Sequence, residues 1–209
     1  MSIRKLIGAM AFVGLLFMNV GQSALAAANV EKVADTRAAL RDLWSEHVVW
    51  VRNVVLAQLD KNAQQTAAAE TQVVANARQI ADSIAPFYGQ AAANQLFDLL
   101  KGHYGAIRQY FDASSANDKN AESKAKDALV SNAGAIAKFL SGANPNLPYD
   151  TVNGLLVAHG GHHLAQIDQL KAKHYTEEAT NWIAMRKHMN TIADAIAGAI
   201  AKQFPEKFN

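Results

Sequence analysis

Histidine is the residue type through which this chain most clearly offers chemistry, because its 209 residues include seven histidines and no cysteine. Neutral imidazole is the commonest protein ligand for transition metals. The lack of cysteine excludes thiolate metal sites, covalent haem attachment and thiol catalysis. We find no nucleophile triad, phosphate loop or dinucleotide fingerprint in the sequence. The chemistry that remains is metal binding by imidazole nitrogen.

The histidines coincide with the apolar stripes of predicted helices. His47, His103, His159 and His163 lie within such stripes, and His188 borders the stripe of its own helix. A stripe covers only about a third of a helix surface, so random placement would put few histidines there. His47, His103, His159 and His188 also fall near the middle of their helices. Bundle metal sites are built from side chains that project inward from facing helices. The pattern therefore predicts that these imidazoles converge on one metal ion.

The densest local signal is the segment His159-Gly160-Gly161-His162-His163. His159 and His163 are four residues apart, a spacing that places both rings on one helical face, where they can chelate one ion. Each glycine within a helix costs about 1 kcal/mol relative to alanine. The pair therefore indicates close backbone approach, a kink or room for a ligand. The alternative is a helix break with His162 and His163 solvated.

Hydrophobic periodicity predicts helices that would position these side chains. No stretch alternates with period two for long enough to indicate a strand. A tight break is expected at 86–89 and a polar loop at 113–118. Because short connections favour antiparallel neighbours, we expect an all-α, up-and-down antiparallel helical bundle, with a four-helix core and additional helices. The predicted helices are 29–60, 62–84, 89–112, 119–140, 149–172 and 176–203.

The N-terminal segment resembles a cleaved export signal. Arg4 and Lys5 precede an apolar run from Leu6 to Val20, and Ala24-Leu25-Ala26 has the small-x-small pattern that signal peptidase cleaves. This predicts a signal peptide at 1–26, a single domain at 27–209 and a periplasmic or secreted protein. An uncleaved anchor is the alternative, although the run is short for a membrane span.

The charge balance says little about partners. The segment 1–26 holds two of the 20 basic residues and none of the 18 acidic ones, so the mature chain has 18 of each. A balanced charge indicates neither nucleic-acid binding nor attraction to anionic membranes. We therefore expect no nucleic acid as partner and no stable membrane insertion after cleavage. The expected partner is the metal ion indicated by the histidines, and the sequence leaves protein partners undetermined.

Other polar residues extend the candidate site less directly. Glu70 could serve as a carboxylate ligand, and Asp194 could orient a histidine. Arg52 could form an ion pair with Asp42, with Glu46 or with a residue of a neighbouring helix. Asn76 and Asn132 face inward and require hydrogen-bond partners. Each of these assignments depends on how the helices pack.

Known bundle sites can be compared with this pattern. Hemerythrin-like di-iron proteins need His-x-x-x-Glu and His-x-x-x-His pairs, and only His159 with His163 satisfies either. Ferritin-like sites need Glu-x-x-His on two helices, which no interior position provides. A cytochrome c′ site needs cysteine. A non-covalent haem held by two side chains is left open by spacing alone.

Distinctive residues also stand in three groups along most of the mature chain. These are Leu43-Trp44-Ser45-Glu46-His47-Val48 with Trp50 and Arg52; Ile84, Pro86-Phe87-Tyr88-Gly89, Asn94, Leu99-Leu100-Lys101 and His103; and Phe139-Leu140-Ser141, Ala143-Asn144-Pro145, His159, His188, Asp194 and Gln203-Phe204-Pro205. The set resembles a family of bacterial helical-bundle proteins, exported or cytoplasmic, with no established activity. The resemblance implies a helical fold and a set of positions but no reaction. The Gly160-Gly161-His162-His163 segment departs from that pattern.

The leading hypothesis is an exported bundle that binds a transition metal for storage, buffering or sensing through His47, His103, His159, His188 and His163. An all-nitrogen ligand set favours zinc or copper over iron or haem. A second hypothesis is a non-catalytic structural or binding bundle whose core histidines are satisfied by hydrogen bonds. A third is a metal- or haem-dependent enzyme, which would need an open coordination position.

Overall fold

The computed structural model describes residues 29–209, so the predicted signal peptide at 1–26 lies outside the described residues. Six long α-helices and one short 3-10 helix make up this part of the chain. Their bounds are α1 Val30–Leu59, α2 Ala63–Asp82, α3 Ala85–Ala116, α4 Lys119–Ala143, α5 Tyr149–Lys171 and α6 Tyr175–Gln203, with the 3-10 turn at Pro205–Phe208. The predicted all-α bundle is confirmed.

The helix ends show which local signals were decisive. Gly89 adopts φ 83° and ψ 166° inside α3, which is the break expected at 86–89. The loop predicted at 113–118 is wrong for its first four residues, because α3 continues to Ala116. Ser114 is buried there, and the Lys171 ammonium donates to its carbonyl oxygen. The true connection is Asn117, left-handed at φ 56°, followed by Asp118, which caps α4.

The helices pack in chain order around a common core. Each helix contacts the next, and α6 returns to contact α1. Connections of two to five residues make consecutive helices antiparallel. Helix α5 also contacts α1 and α3 across the interior. The three helices that meet in the middle are therefore those that carry His47, His103 and His159.

The apolar core is divided into two clusters, and the buried histidines lie between them. One cluster contains Leu40, Trp44 and Val48 of α1, together with Leu100 of α3 and Leu156 of α5. The other cluster lies further along the same three helices, with Val51, Ile107 and Ile167 among its members. The buried histidines thus form a polar layer between two apolar clusters.

Among residues 29–209, no helix has both the length and the hydropathy that crossing a bilayer requires.

Candidate metal centre

Three histidines from α1 and α5 meet at the centre of the bundle. One nitrogen from each of His47, His159 and His163 lies within 4.8 Å of the corresponding nitrogens of the other two. The ring centres of His47 lie 5.7 Å from His159 and 5.9 Å from His163, and those of His159 and His163 are 4.6 Å apart. The spacing of four residues on α5 therefore brings both rings to one point, as predicted.

His103 of α3 stands directly beside this triad. Its ring is stacked on that of His159, with centres 5.5 Å apart and planes inclined by 13°. The convergence predicted for His47, His103 and His159 from their mid-helix positions is therefore seen in the structure. The three helices that supply these residues run parallel to one another, because they alternate in an antiparallel bundle.

Asn132 of α4 determines which nitrogen of His103 is free. The Asn132 Nδ2 group donates to the Leu99 carbonyl oxygen at 3.0 Å, so its Oδ1 atom must face His103. The His103 Nδ1 atom lies 3.1 Å from this oxygen and donates to it. The neutral ring consequently carries its lone pair on Nε2, which is buried and has no hydrogen-bond partner.

Gly102 allows this contact. A Cβ atom at residue 102 would stand 3.0 Å from the Asn132 amide nitrogen, closer than an ordinary contact. The absence of a side chain lets α4 bring Asn132 against the backbone of α3. The glycine therefore supports the orientation of His103 rather than simply loosening the helix.

The four imidazoles are cut off from water and largely unpaired. The exposed fraction is 4% for His47, 3% for His103 and 1% for each of His159 and His163. Both nitrogens of His159 and of His163, and Nδ1 of His47, have no hydrogen-bond partner within the described chain. A buried polar group left unpaired costs about 1–3 kcal/mol. Such a concentration of unpaired nitrogen is expensive for a group that only fills the core.

Burial keeps these rings neutral. Loss of solvation, reinforced by the neighbouring His103, lowers the pKa of His47 to about 3. Loss of solvation also lowers the pKa of His103 to about 4, against an opposing contribution from Asn132. The pKa values of His159 and His163 are lowered well below 6.5, first by burial and then by the other histidines. Neutral imidazole is the form that binds a metal.

The spacing suits a small ion. Two imidazoles on a tetrahedral zinc ion have ring centres about 5 Å apart, because the Zn–N bonds are about 2.0–2.1 Å long. The ring separations of 4.6–5.9 Å in the triad lie around that value. The buried triad His47, His159 and His163 could therefore hold a metal ion, and His103 adjoins it with a free nitrogen.

The structure does not bring His188 into this group. Its Nε2 atom lies 2.8 Å from the Leu155 carbonyl oxygen of α5, and its ring faces His162 at 5.5 Å. The side chains of α6 that enter the core at this level are those of Met185 and Met189, which are fully buried. His162 is half-buried at the α5–α6 interface, and His174 is exposed at the start of α6.

The two candidate carboxylate residues, Glu70 and Asp194, are paired with arginine side chains. Glu70 accepts hydrogen bonds from Tyr104 and Arg108, so it is not directed at the histidines. Asp194 accepts two hydrogen bonds from Arg41, at 2.7 and 2.6 Å, and orients no histidine. These bonds from Arg41 hold the pKa of Asp194 below its usual value.

Arg52 pairs with a residue of α6, which is one of the alternatives predicted for it, an ion pair with a neighbouring helix. Its guanidinium makes two parallel hydrogen bonds to Glu178, at 2.8 and 3.0 Å, and Gln166 donates to the same carboxylate at 3.0 Å. The sequence alone did not indicate Glu178 as the partner of Arg52. The fully buried Gln166, one turn after His163, was also missed because an isolated polar residue carries no periodic signal.

Gly160 and Gly161 of α5 have different surroundings. The helix is unbroken, and His163 is buried, so the alternative of a helix break with solvated histidines is wrong. A Cβ atom at Gly160 would lie 3.0 Å from a methyl carbon of Leu129, whereas one at Gly161 would meet nothing within 4 Å. Close approach of α4 therefore explains Gly160, and nothing in the structure explains Gly161.

Neither a protein-family model nor a curated protein nor a solved structure matches the chain.

Proposed function

We propose that this protein is an exported helical bundle that binds a transition metal ion through His47, His159 and His163, with His103 as a fourth ligand. The observation that carries the proposal is the buried triad, whose ligand nitrogens lie within 4.8 Å of one another. Export is supported by the sequence pattern of residues 1–26 alone.

The chemistry of the donor set favours zinc or copper. All four side chains supply imidazole nitrogen, which suits both metals, and no carboxylate or thiolate joins them within the described chain. Haem is disfavoured by the packing. The apolar cavities around Trp44, next to His47, have volumes of only about 10 Å³, so a porphyrin would have to displace the core.

Burial favours holding the ion over reacting with a substrate. A catalytic metal keeps one coordination position open to water or substrate. The four rings here are at most 4% exposed, and apolar clusters lie on both sides of their layer. An ion bound there would be stored, buffered or sensed, with release linked to opening of the bundle.

The alternative of a purely structural bundle requires core histidines with satisfied hydrogen bonds. Of the four, only His103 has such a bond within the described chain, to Asn132. His159 and His163 have none on either nitrogen. A metal ion would give each ring a partner for its lone pair, which a structural role does not.

The test is the metal content of the protein as isolated. The full-length chain is expressed, recovered from the periplasmic fraction and analysed for metal by mass spectrometry. We expect one tightly held zinc or copper ion per chain, lost in His159→Gln and in His163→Gln and kept in His174→Gln. A metal-free protein whose thermal stability does not respond to zinc, copper, nickel or iron would contradict the proposal.

A further inference from the structure

His162 of α5 and His188 of α6 face each other at the helix interface, outside the buried group. Their ring centres are 5.5 Å apart and their planes are inclined by 52°. Both residues are half-buried, so the pair is partly accessible to solvent. The proposed buried site uses neither residue.

Asn181 determines the free nitrogen of His162. The Asn181 Nδ2 group donates to the His162 carbonyl oxygen at 2.9 Å, which leaves its Oδ1 atom as an acceptor. The His162 Nδ1 atom lies 2.7 Å from that oxygen and therefore carries the hydrogen. In the neutral ring, the lone pair is on Nε2.

Leu155 determines the free nitrogen of His188 in the same way. The His188 Nε2 atom lies 2.8 Å from the Leu155 carbonyl oxygen, which can only accept a hydrogen bond. Nε2 is therefore the protonated nitrogen, and Nδ1 carries the lone pair. Each ring is thus held by one nitrogen while the other stays available, an arrangement that metal-binding histidines commonly show.

We propose that His162 and His188 form a second, half-exposed binding site for a divalent transition metal ion. Each ring supplies one nitrogen, and solvent water completes the coordination. The ring separation of 5.5 Å is close to the ~5 Å expected for two imidazoles on one ion with metal–nitrogen bonds of about 2.0–2.1 Å. Because only two protein ligands are present, this site binds more weakly and exchanges its ion faster than a buried group of three or four.

A structural role predicts something different. If the two histidines only join α5 to α6, replacing them changes stability and leaves the number of bound ions unchanged. Metal stoichiometry therefore separates the two roles, whereas stability alone does not.

The experiment titrates the metal-stripped full-length protein with copper(II) chloride, followed by equilibrium dialysis and by electron paramagnetic resonance. His162→Gln and His188→Gln each remove one ligand from a different helix, and His174→Gln is the exposed control. Circular dichroism identifies any variant that fails to fold, and the other single variant then still tests the site.

We expect each of the two ligand variants to bind one copper ion fewer than the wild type, from the weaker class, while His174→Gln binds the same number. Equal stoichiometry in all three folded variants and the wild type would overturn the second site. The result does not depend on the buried group. If the buried group binds no copper, the copper ion bound by the wild type should still be absent from His162→Gln and present in His159→Gln.

Discussion

The Nδ1 atom of His103 donates a hydrogen bond to the Oδ1 atom of Asn132 across 3.1 Å, and this bond joins α3 to α4. It fixes both the rotation and the tautomer of a ring that stacks on His159. The Nε2 lone pair of His103 is consequently fixed before any ion arrives. Partners of this kind orient metal-binding histidines and increase their basicity.

Replacing Asn132 with leucine should weaken metal binding without removing a ligand. The His103 ring would lose its orientation and its fixed tautomer, and we expect the affinity for zinc or copper to fall about 10–100-fold. Isothermal titration calorimetry of the metal-stripped variant measures the change.

Asn76→Leu is the matched control for this substitution. Asn76 also faces the interior and donates to a backbone carbonyl, that of Leu43, at 3.0 Å. Its loss should lower the free energy of unfolding to a similar extent, about 1–3 kcal/mol, but leave metal affinity unchanged. Equal affinity in Asn132→Leu and the wild type would show that His103 is not a ligand and that the triad acts alone.

Much of the fold follows from residue spacing. The apolar stripes and the breaks at proline and glycine placed all six helices, with the largest errors, of four residues each, at the two ends of α3. The error at the C-terminal end arose because Ser114, Ser115 and the polar residues that follow them favour turns, whereas the contact of Ser114 with Lys171 supports a longer helix. Tertiary contacts overrode a local preference that sequence reasoning had to rely on.

The sequence predicted those parts of the candidate site that depend only on the position of a residue along its helix. His47, His103 and His159 occupy mid-helix positions in parallel helices, and His163 follows from the i, i+4 spacing. His188 has a similar mid-helix position but lies at the border of its stripe. The rotation of α6 about its own axis then determines whether His188 points into the core or towards the Leu155 carbonyl oxygen. Hydrophobic periodicity does not define that rotation closely enough to distinguish these two positions.

Acid should destabilise the metal-free protein well above the usual carboxylate range. The folded-state pKa of His47 is about 3 and that of His103 about 4, both below the ordinary 6.5. Folded protein therefore binds fewer protons than unfolded protein between these values. The stability is complete above about pH 6.5 and is lost as the pH falls, by about 1.4 kcal/mol per pH unit for each such histidine.

Urea unfolding of the metal-stripped protein at several pH values between 7 and 4.5 measures this slope. The arginine partners of Glu178 and Asp194 lower the pKa of those carboxyl groups, so the stability that these groups provide is lost only at more acidic pH. His103→Gln should reduce the slope by about 1.4 kcal/mol per pH unit, and His174→Gln should not. A free energy of unfolding that stays constant from pH 7 to 5 would show that these histidines are not held neutral by burial.

Alanine at Gly160 and at Gly161 should have opposite effects on stability. A Cβ atom at Gly160 would stand 3.0 Å from Leu129, so overpacking should destabilise the protein by about 1–3 kcal/mol, reduced by the better helix propensity of alanine. Gly161 is exposed and has open space, and alanine there should stabilise the helix by up to about 1 kcal/mol. The midpoints of urea denaturation compare the two variants directly, and a stabilised Gly160→Ala would mean that α4 does not approach α5 as closely as described.

Removing one partner of the ion pair between Arg52 and Glu178 should be destabilising mainly because it leaves the other partner buried and unpaired. The Glu178 side chain is 5% exposed and that of Arg52 30% exposed. Arg52→Met would leave a buried carboxylate with Gln166 as its remaining partner, and we expect a loss of about 3 kcal/mol, because the guanidinium is partly solvated. The double variant Arg52→Met with Glu178→Leu removes the unpaired charge, and it should be more stable than Arg52→Met alone. Chemical denaturation of the wild type, both single variants and the double variant gives the coupling energy, and a double variant less stable than Arg52→Met would show that the carboxylate stabilises α6 through contacts other than Arg52.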